Sequence, residues 1–197
     1  MMYYKLKSTF LTLFGDIEVF KWPMFVIYRP SGYKIRGKQI RTIMKKIEPG
    51  DVLLRGYNDY LDGYFIPKGS SNCSHSGIYV GNGNVIHSIA EGVIREDLLD
   101  FLKCDYCVVL RPNTSKNTIN KALKHAKTVV GKPYDFDFDT ATHDKYFCHE
   151  FTASCYPGID VQKVRRKAWF LGLMSPETYL ADSFYCNDKF KIICAYN

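Results

Sequence analysis

Residues 74–88 read SHSGIYVGNGNVIHS, two runs rich in Ile, Val and Tyr on either side of Asn82-Gly83. Such residues favour strands, and an Asn-Gly pair between them is a strong short-range hairpin signal. His75 stands near the start of the first strand and His87 near the end of the second. Side chains alternate faces along a strand, and cross-strand partners share a face. A two-residue loop at Asn82-Gly83 would pair Val80 with Val85 and send the histidines to opposite faces. A three-residue loop, residues 81–83, would pair Val80 with Asn84, set His87 opposite Gly77 and bring both imidazoles to one face. Cooperation between the histidines therefore requires an odd loop. Gly77, lying between them, is expected to leave open space for a reacting group.

A cysteine gives that hairpin a purpose. FCHEF, residues 147–151, follows some sixty residues later at the head of an expected helix. A thiol at a helix N-terminus feels the positive end of the dipole, and a nearby imidazolium favours the thiolate further. Such settings lower a cysteine pKa from ~8.5 to roughly 3.5–7.5. Cys148 is thus the candidate nucleophile, His75 the general base and acid, and His87 the group that orients His75. This chemistry needs no metal and no cofactor.

Around these residues the order of elements is mixed. A short helix is expected over residues 39–47, stopped by Pro49-Gly50, and a strand over 51–55. Residues 57–73 read as a polar, Gly-rich loop. Residues 94–102 are helical or mixed, and 106–111 form a strand ended by Pro112. Thr114 or Ser115 caps a helix whose residues Ile119, Ala122, Leu123, Ala126, Val129 and Val130 repeat at helical spacing until Gly131. Residues 147–156 are the next helix. Ser175-Pro176-Glu177 reads as an N-cap with proline at the first helical position, opening a helix to about Phe184. Residues 189–194 close as a strand. Hairpin-linked strands mixed with helices give an α+β fold: an antiparallel sheet or small barrel packed against helices.

Composition sets bounds on this reading. A chain of 197 residues fits one domain, or one domain with an appendage, and a core of that size forms without staples. Seven cysteines is an odd count without framework spacing, which points to reduced thiols in a cytosol-like compartment. The apolar run at residues 10–14 is broken by Gly15, Asp16 and Glu18, and no small-residue cleavage site follows it. No signal peptide is expected, and no run reaches the ~18 apolar residues of a transmembrane helix. The aromatic segment 19–28 is expected to be a packed strand. The net charge is +7, with basic clusters at Lys34, Arg36, Lys38, Arg41, Lys45 and Lys46 and at 165–167. Solvated helix faces explain such clusters, and an anionic membrane surface or cell-wall polymer is the partner they would suit. No nucleic-acid motif accompanies the charge, so nucleic acid is the weakest partner.

Four stretches taken together, GDVLLRG (50–56), SHSGIYVGNGNVIHS, GKPYDFDF (131–138) and YFCHEFTASCY (146–156), resemble the NlpC-type cysteine hydrolases of the papain-like superfamily. Their order, with the histidine hairpin ahead of the cysteine, resembles the circularly permuted YiiX-like branch. The resemblance covers about residues 48–195. It divides the chain into a permuted papain-like domain, 48–197, and an N-terminal extension, 1–47, with no counterpart. It implies a thiol hydrolase with Cys148 as nucleophile, His75 as base and His87 as third residue. It places the Tyr134 hydroxyl near the oxyanion and Glu150 beside the substrate pocket. His149 stands where relatives carry a small serine, so it is expected to narrow or recharge that pocket, with Gly77 at its floor. Permuted relatives often carry glutamate where His87 stands.

The implied reaction is cleavage of a small amide or peptide, such as a peptidoglycan stem peptide or other cell-wall fragment, through a thioester. Lipid-directed acyltransferase or phospholipase chemistry is the alternative within the same resemblance, and a non-catalytic binding module the alternative outside enzymes. Weaker signals are read as structural. Cys104 and Cys107 form a lone C-x-x-C expected to pack, and Asp135, Asp137 and Asp139 are expected on a solvated or substrate-rim loop. His125 and His143 have no partner legible in the sequence.

Overall fold

The computed structural model describes residues 6, 18–19, 26–27, 33–58, 70–138, 140, 144–165 and 177–196. Its centre is a six-stranded antiparallel sheet. The strands are β3 (Val52–Gly56), β4 (His75–Gly81), β5 (Asn84–Ile89), β6 (Gly92–Asp97), β7 (Tyr106–Pro112) and β10 (Phe190–Tyr196), in spatial order β10-β7-β3-β4-β5-β6. Two-residue ladders pair β1 (Glu18–Val19) with β2 (Val26–Ile27) and β8 (Val164–Arg165) with β9 (Glu177–Thr178). The helices are α1 (Gly37–Lys46), α2 (Leu98–Phe101), α3 (Lys116–Thr128), α4 (Cys148–Cys155) and α5 (Asp182–Tyr185). The expected α+β class, with an antiparallel sheet against helices, is the one found.

Alternation along the strands divides the interior into two cores. Val52, Leu54, Ile78, Ile86, Val108 and Leu110 meet α3, α4 and α5 on one face. Leu53, Val85, Cys107 and Val109 meet Ile43 of α1 and Leu98 and Phe101 of α2 on the other. Both faces are buried, so neither reads as a clean polar–apolar alternation. Ser115 caps α3 by accepting from the Thr118 N–H at 3.2 Å, as its place ahead of the periodic run implied.

The β4–β5 hairpin corrects one expectation. Gly77 faces His87, Ile78 faces Ile86 and Tyr79 faces Val85, the register that sets both histidines on one face. The turn, however, has two residues. Gly81 pairs with Asn84, and both Asn82 (φ 53°) and Gly83 (φ 73°) lie in the left-handed region that such a turn demands. The odd residue is Val80, displaced in a β-bulge between Tyr79 and Gly81. A bulge inserts one residue into one strand and flips parity just as an odd loop would. The histidines thus share a face despite the two-residue turn.

Two other expectations change. The helix expected from Ser175 begins only at Asp182, while Glu177 and Thr178 pair with Arg165 and Val164; residues 175 and 176 lie outside the described residues. The acidic stretch is not simply solvated, because Asp135 is buried and its carboxylate lies 2.7 Å from Lys145 Nζ. Asp137 meets the same ammonium at 2.8 Å, while Asp139 and His143 lie outside the described residues, as does most of the aromatic segment 19–28. Cys104 and Cys107 are buried and free, in keeping with packing. His125 does have a partner, with Nε2 3.1 Å from Ser154 Oγ. No described helix is long and apolar enough to cross a membrane.

Gly77 is a packing device rather than a vacancy. A Cβ there would lie 2.9 Å from His87 Cβ, 3.0 Å from Val85 Cγ1 and 3.1 Å from the Ile86 carbonyl oxygen. The room expected for a reacting group is already filled. Gly77→Ala is expected to destabilise the fold by about 1–3 kcal/mol through overpacking. Urea unfolding measures this, and an unchanged midpoint would contradict the close approach.

Candidate active site

Strand parity at the start of β4 sorts the candidate residues. Ser76 turns toward α4. Its hydroxyl lies 3.1 Å from the Cys148 carbonyl oxygen, 2.8 Å from Thr152 Oγ1 and 2.8 Å from His149 Nδ1. Thr152 Oγ1 also donates to the Cys148 carbonyl at 3.0 Å. This buried polar knot ties the first turn of α4 to β4, and through it the position of Cys148.

His75 turns the other way. Its Nε2 is 2.8 Å from His87 Nδ1, with the rings edge to face at 85°. Phe101 of α2 lies against both imidazoles, at centroid distances of 5.9 and 5.3 Å. Beyond His87 stand two groups that sequence reasoning missed. Glu96 Oε2 is 3.2 Å from His87 Nε2, within ion-pair distance but without a formed hydrogen bond. The same oxygen is 3.3 Å from Arg55 Nη1, and Arg55 lies over the Phe101 ring at 4.3 Å. The signal for Glu96 was parity. Val85 pairs with Glu96 and His87 with Ile94, so all four face one way, but that register is invisible until the β5–β6 pairing is known.

The nucleophile and base halves meet at one peptide. The Cys148 thiol is buried, and the main-chain N–H groups of Ser76, His149 and Cys148 itself bear on it. Ser76 is the residue after His75, so the thiol sits at the point where β4 begins. Among the described residues no hydrogen bond joins the thiol to the His75 ring. With Nε2 committed to His87, His75 has Nδ1 left for it.

The protonation states differ from the sequence expectation of a thiolate. Burial pushes the Cys148 thiol up to about 12, against the three N–H groups and Arg55, which act to lower it. His75 is held well below the usual imidazole value, first by its enclosure and then by the charges of Arg55, His87 and His149. His87 is lowered by burial, partly offset by Glu96. Burial raises the Glu96 carboxyl, but His87 and Arg55 outweigh it and leave its pKa below the usual carboxylate value. Both groups are thus neutral at rest, the Cys148 thiol and the His75 imidazole.

The remaining candidates are placed as follows. Tyr134 is buried with its ring 4.8 Å from Phe136. Its segment runs beside the residues leading into Cys148, with Asp135 N–H donating to the Tyr146 carbonyl at 3.1 Å and Tyr146 N–H to the Pro133 carbonyl at 3.0 Å. Glu150 is buried in the first turn of α4, and the Tyr146 and Tyr179 hydroxyls are raised first by burial and then by its charge. His149 does not recharge a pocket. It is 1% exposed, burial lowers its pKa to about 3, and its ring faces Ser76 and Phe184.

The model of the permuted papain-like amidases, the YaeF/YiiX or C92 family, matches residues 46–194, a span that includes β4, β5 and α4. The chain belongs to the C92 family. It is therefore a cysteine peptidase or amidase by class, acting on amide bonds. The crystal structure of the metalloprotein YiiX from Escherichia coli O157:H7 is similar to it with a TM-score of 0.61 and 20% identity, over 76% of this chain and 97% of that one. At that identity the likeness speaks for the fold. No curated protein sequence matches the chain. Among the described residues of this C92 member, no group of three or more His, Cys, Asp or Glu side chains could hold a metal ion.

A neutral resting thiol has a measurable consequence. Because the thiol pKa is raised, the thiolate fraction keeps increasing with pH well past neutrality. Iodoacetamide alkylation of Cys148 should show no plateau between about pH 5 and 8 and should still be accelerating above about pH 9. The exposed Cys186 should react first at neutral pH. Peptide mapping by mass spectrometry resolves the two, and a Cys148 rate already maximal at pH 6 would disprove the neutral pair.

Proposed function

We propose that this C92 enzyme hydrolyses small amides of the peptidoglycan stem-peptide kind through a Cys148 thioester, with His75 as base and His87 as its orienting partner. The observation that carries the reading is the 2.8 Å contact between His75 Nε2 and His87 Nδ1, which leaves His75 Nδ1 for the thiol held at Ser76. As Sγ attacks the amide carbonyl, the thiol proton passes to His75 Nδ1. The imidazolium then gives that proton to the departing amine, leaving a thioester. Water, deprotonated by the same nitrogen, attacks the thioester and releases the acid and the thiol. Such proton transfer is typically worth about 10²–10⁴ in rate.

Main-chain N–H groups at the start of α4 suit the developing oxyanion, and Tyr134 is the hydroxyl assigned to assist them. Glu150 is assigned to the substrate side of α4. A neutral thiol in a buried site fits this general-base sequence better than a standing thiolate, since His75 is held in its basic form.

One observation favours lipid chemistry as a second reading. Lys38, Arg41, Lys45 and Lys46 of α1 are exposed together with Met44, a surface suited to an anionic membrane. Incubation with muropeptides and, separately, with anionic phospholipid vesicles divides the two readings. Stem-peptide cleavage lost in Cys148→Ala supports the amidase, whereas release of fatty acid from vesicles alone replaces it with the lipid enzyme.

The pH profile follows from the sign of the His75 shift. The neutral imidazole is the active form, and its pKa lies below the ordinary 6.5. The acid limb of kcat/KM is therefore expected below pH 6.5, with activity level through neutrality. Cleavage that survives Cys148→Ala or His75→Ala would remove these residues from the chemistry.

A further inference from the structure

We propose that Glu96 is a positioning residue that sets the proton on both imidazoles, so that His75 presents an unprotonated Nδ1 to the thiol. The inference rests on the Cys148–His75–His87 reading and extends it by one shell. An ionised carboxylate only accepts hydrogen bonds. Glu96 Oε2 stands 3.2 Å from His87 Nε2, a charge contact rather than a formed hydrogen bond, and its negative charge makes Nε2 the favoured proton position on a neutral His87. His87 Nδ1 then holds a lone pair and accepts from His75 Nε2–H across 2.8 Å. A neutral His75 protonated on Nε2 has its lone pair on Nδ1. A carboxylate two rings away thereby leaves an unprotonated Nδ1 on His75, the base the Cys148 reading calls for.

Arg55 makes the device one-directional. Its guanidinium cannot be deprotonated and cannot accept, so the Glu96 oxygen it shares with His87 stays an acceptor. Arg55 Nη1 also donates to the Phe101 carbonyl at 3.2 Å, and the Phe101 ring beneath the guanidinium holds it in place. The charged and titratable groups bearing on the two imidazoles are Arg55 from β3, Glu96 from β6, Glu91 beside β5, and His149 from α4. Among them Glu96 is the carboxylate in contact with a ring nitrogen. During attack the thiol proton stops at His75 Nδ1. Neither the His75–His87 proton nor the Glu96 charge has to move, so the relay costs no further transfer. Reversal of the tautomers would leave His75 with an N–H toward the thiol and no base.

The test reads the tautomers directly. Long-range proton–nitrogen spectra of the ¹⁵N-histidine-labelled full chain at neutral pH should show both His75 and His87 protonated on Nε2. Glu96→Ala should lose that signature, giving mixed or reversed tautomers. Glu96→Gln, whose amide oxygen can still face Arg55 and His87, should retain it. Muropeptide turnover should follow the same order, with kcat falling about 10–100-fold in the alanine variant, KM little changed, and most of kcat restored in the glutamine variant. Wild-type His87 protonated on Nδ1, or a Glu96→Ala spectrum identical to wild type, overturns the proposal. Hydrolysis that persists in Cys148→Ala overturns the nucleophile assignment instead and leaves the tautomer result standing.

Discussion

Strand parity at the start of β4 is the constraint on which the remaining arrangement depends. His75 and Gly77 face Arg55, His87 and Phe101, while Ser76 and Ile78 face α4. One displaced residue, Val80, sets that parity against β5. Without its bulge, a two-residue turn would carry His87 to the α4 side and part it from His75. The imidazole pair, its link to Glu96 and the cover provided by α2 all presuppose a residue that takes no part in chemistry.

The polar groups near the site divide by what holds them. Ser76, Thr152 and His149 form a buried knot in which both hydroxyls have partners while His149 Nε2 has none, and the knot fixes helix to strand. Hydrogen-bonded hydroxyls in such buried networks add rigidity. The imidazole side is different, because Glu96 retains some exposure and Arg55 spans two aromatic rings. Geometry there is set by charge and ring packing more than by a closed hydrogen-bond set. A rigid mount for the nucleophile and an electrostatically tuned mount for the base thus come from adjacent residues of one strand.

Much of this was legible in the sequence because the signals were local. The Asn82-Gly83 turn, the Ser115 cap and the apolar period from Ile119 to Val129 each lie within a short window, and the order of hairpin and cysteine is read directly along the chain. Parity showed what a shared face for the histidines would require, one odd residue between them, but not where that residue would sit. What escaped needed a partner strand or a burial. Val80's bulge has no residue signature, since Val-Gly-Asn-Gly suits either loop. Glu96 and Arg55 belong to different strands and meet His87 only through the sheet order. The raised Cys148 pKa reflects desolvation, which a helix-terminus argument leaves out. The helix expected at Ser175 failed because a proline at a favourable position is a weak signal against the β8–β9 pairing that Glu177 and Thr178 make.

The nucleophile belongs to the core built on α3, α4 and α5, and the base to the core built on α1 and α2. The two cores share the sheet, but their reactive groups touch only across the Ser76 peptide. Chemistry of this kind is indifferent to which half the chain supplies first, provided the strand end and the helix end arrive at the same point. Circular permutation changes connectivity and leaves such a meeting point untouched. A site assembled where two cores meet across one sheet is therefore one whose connectivity can be reordered while its meeting point is kept.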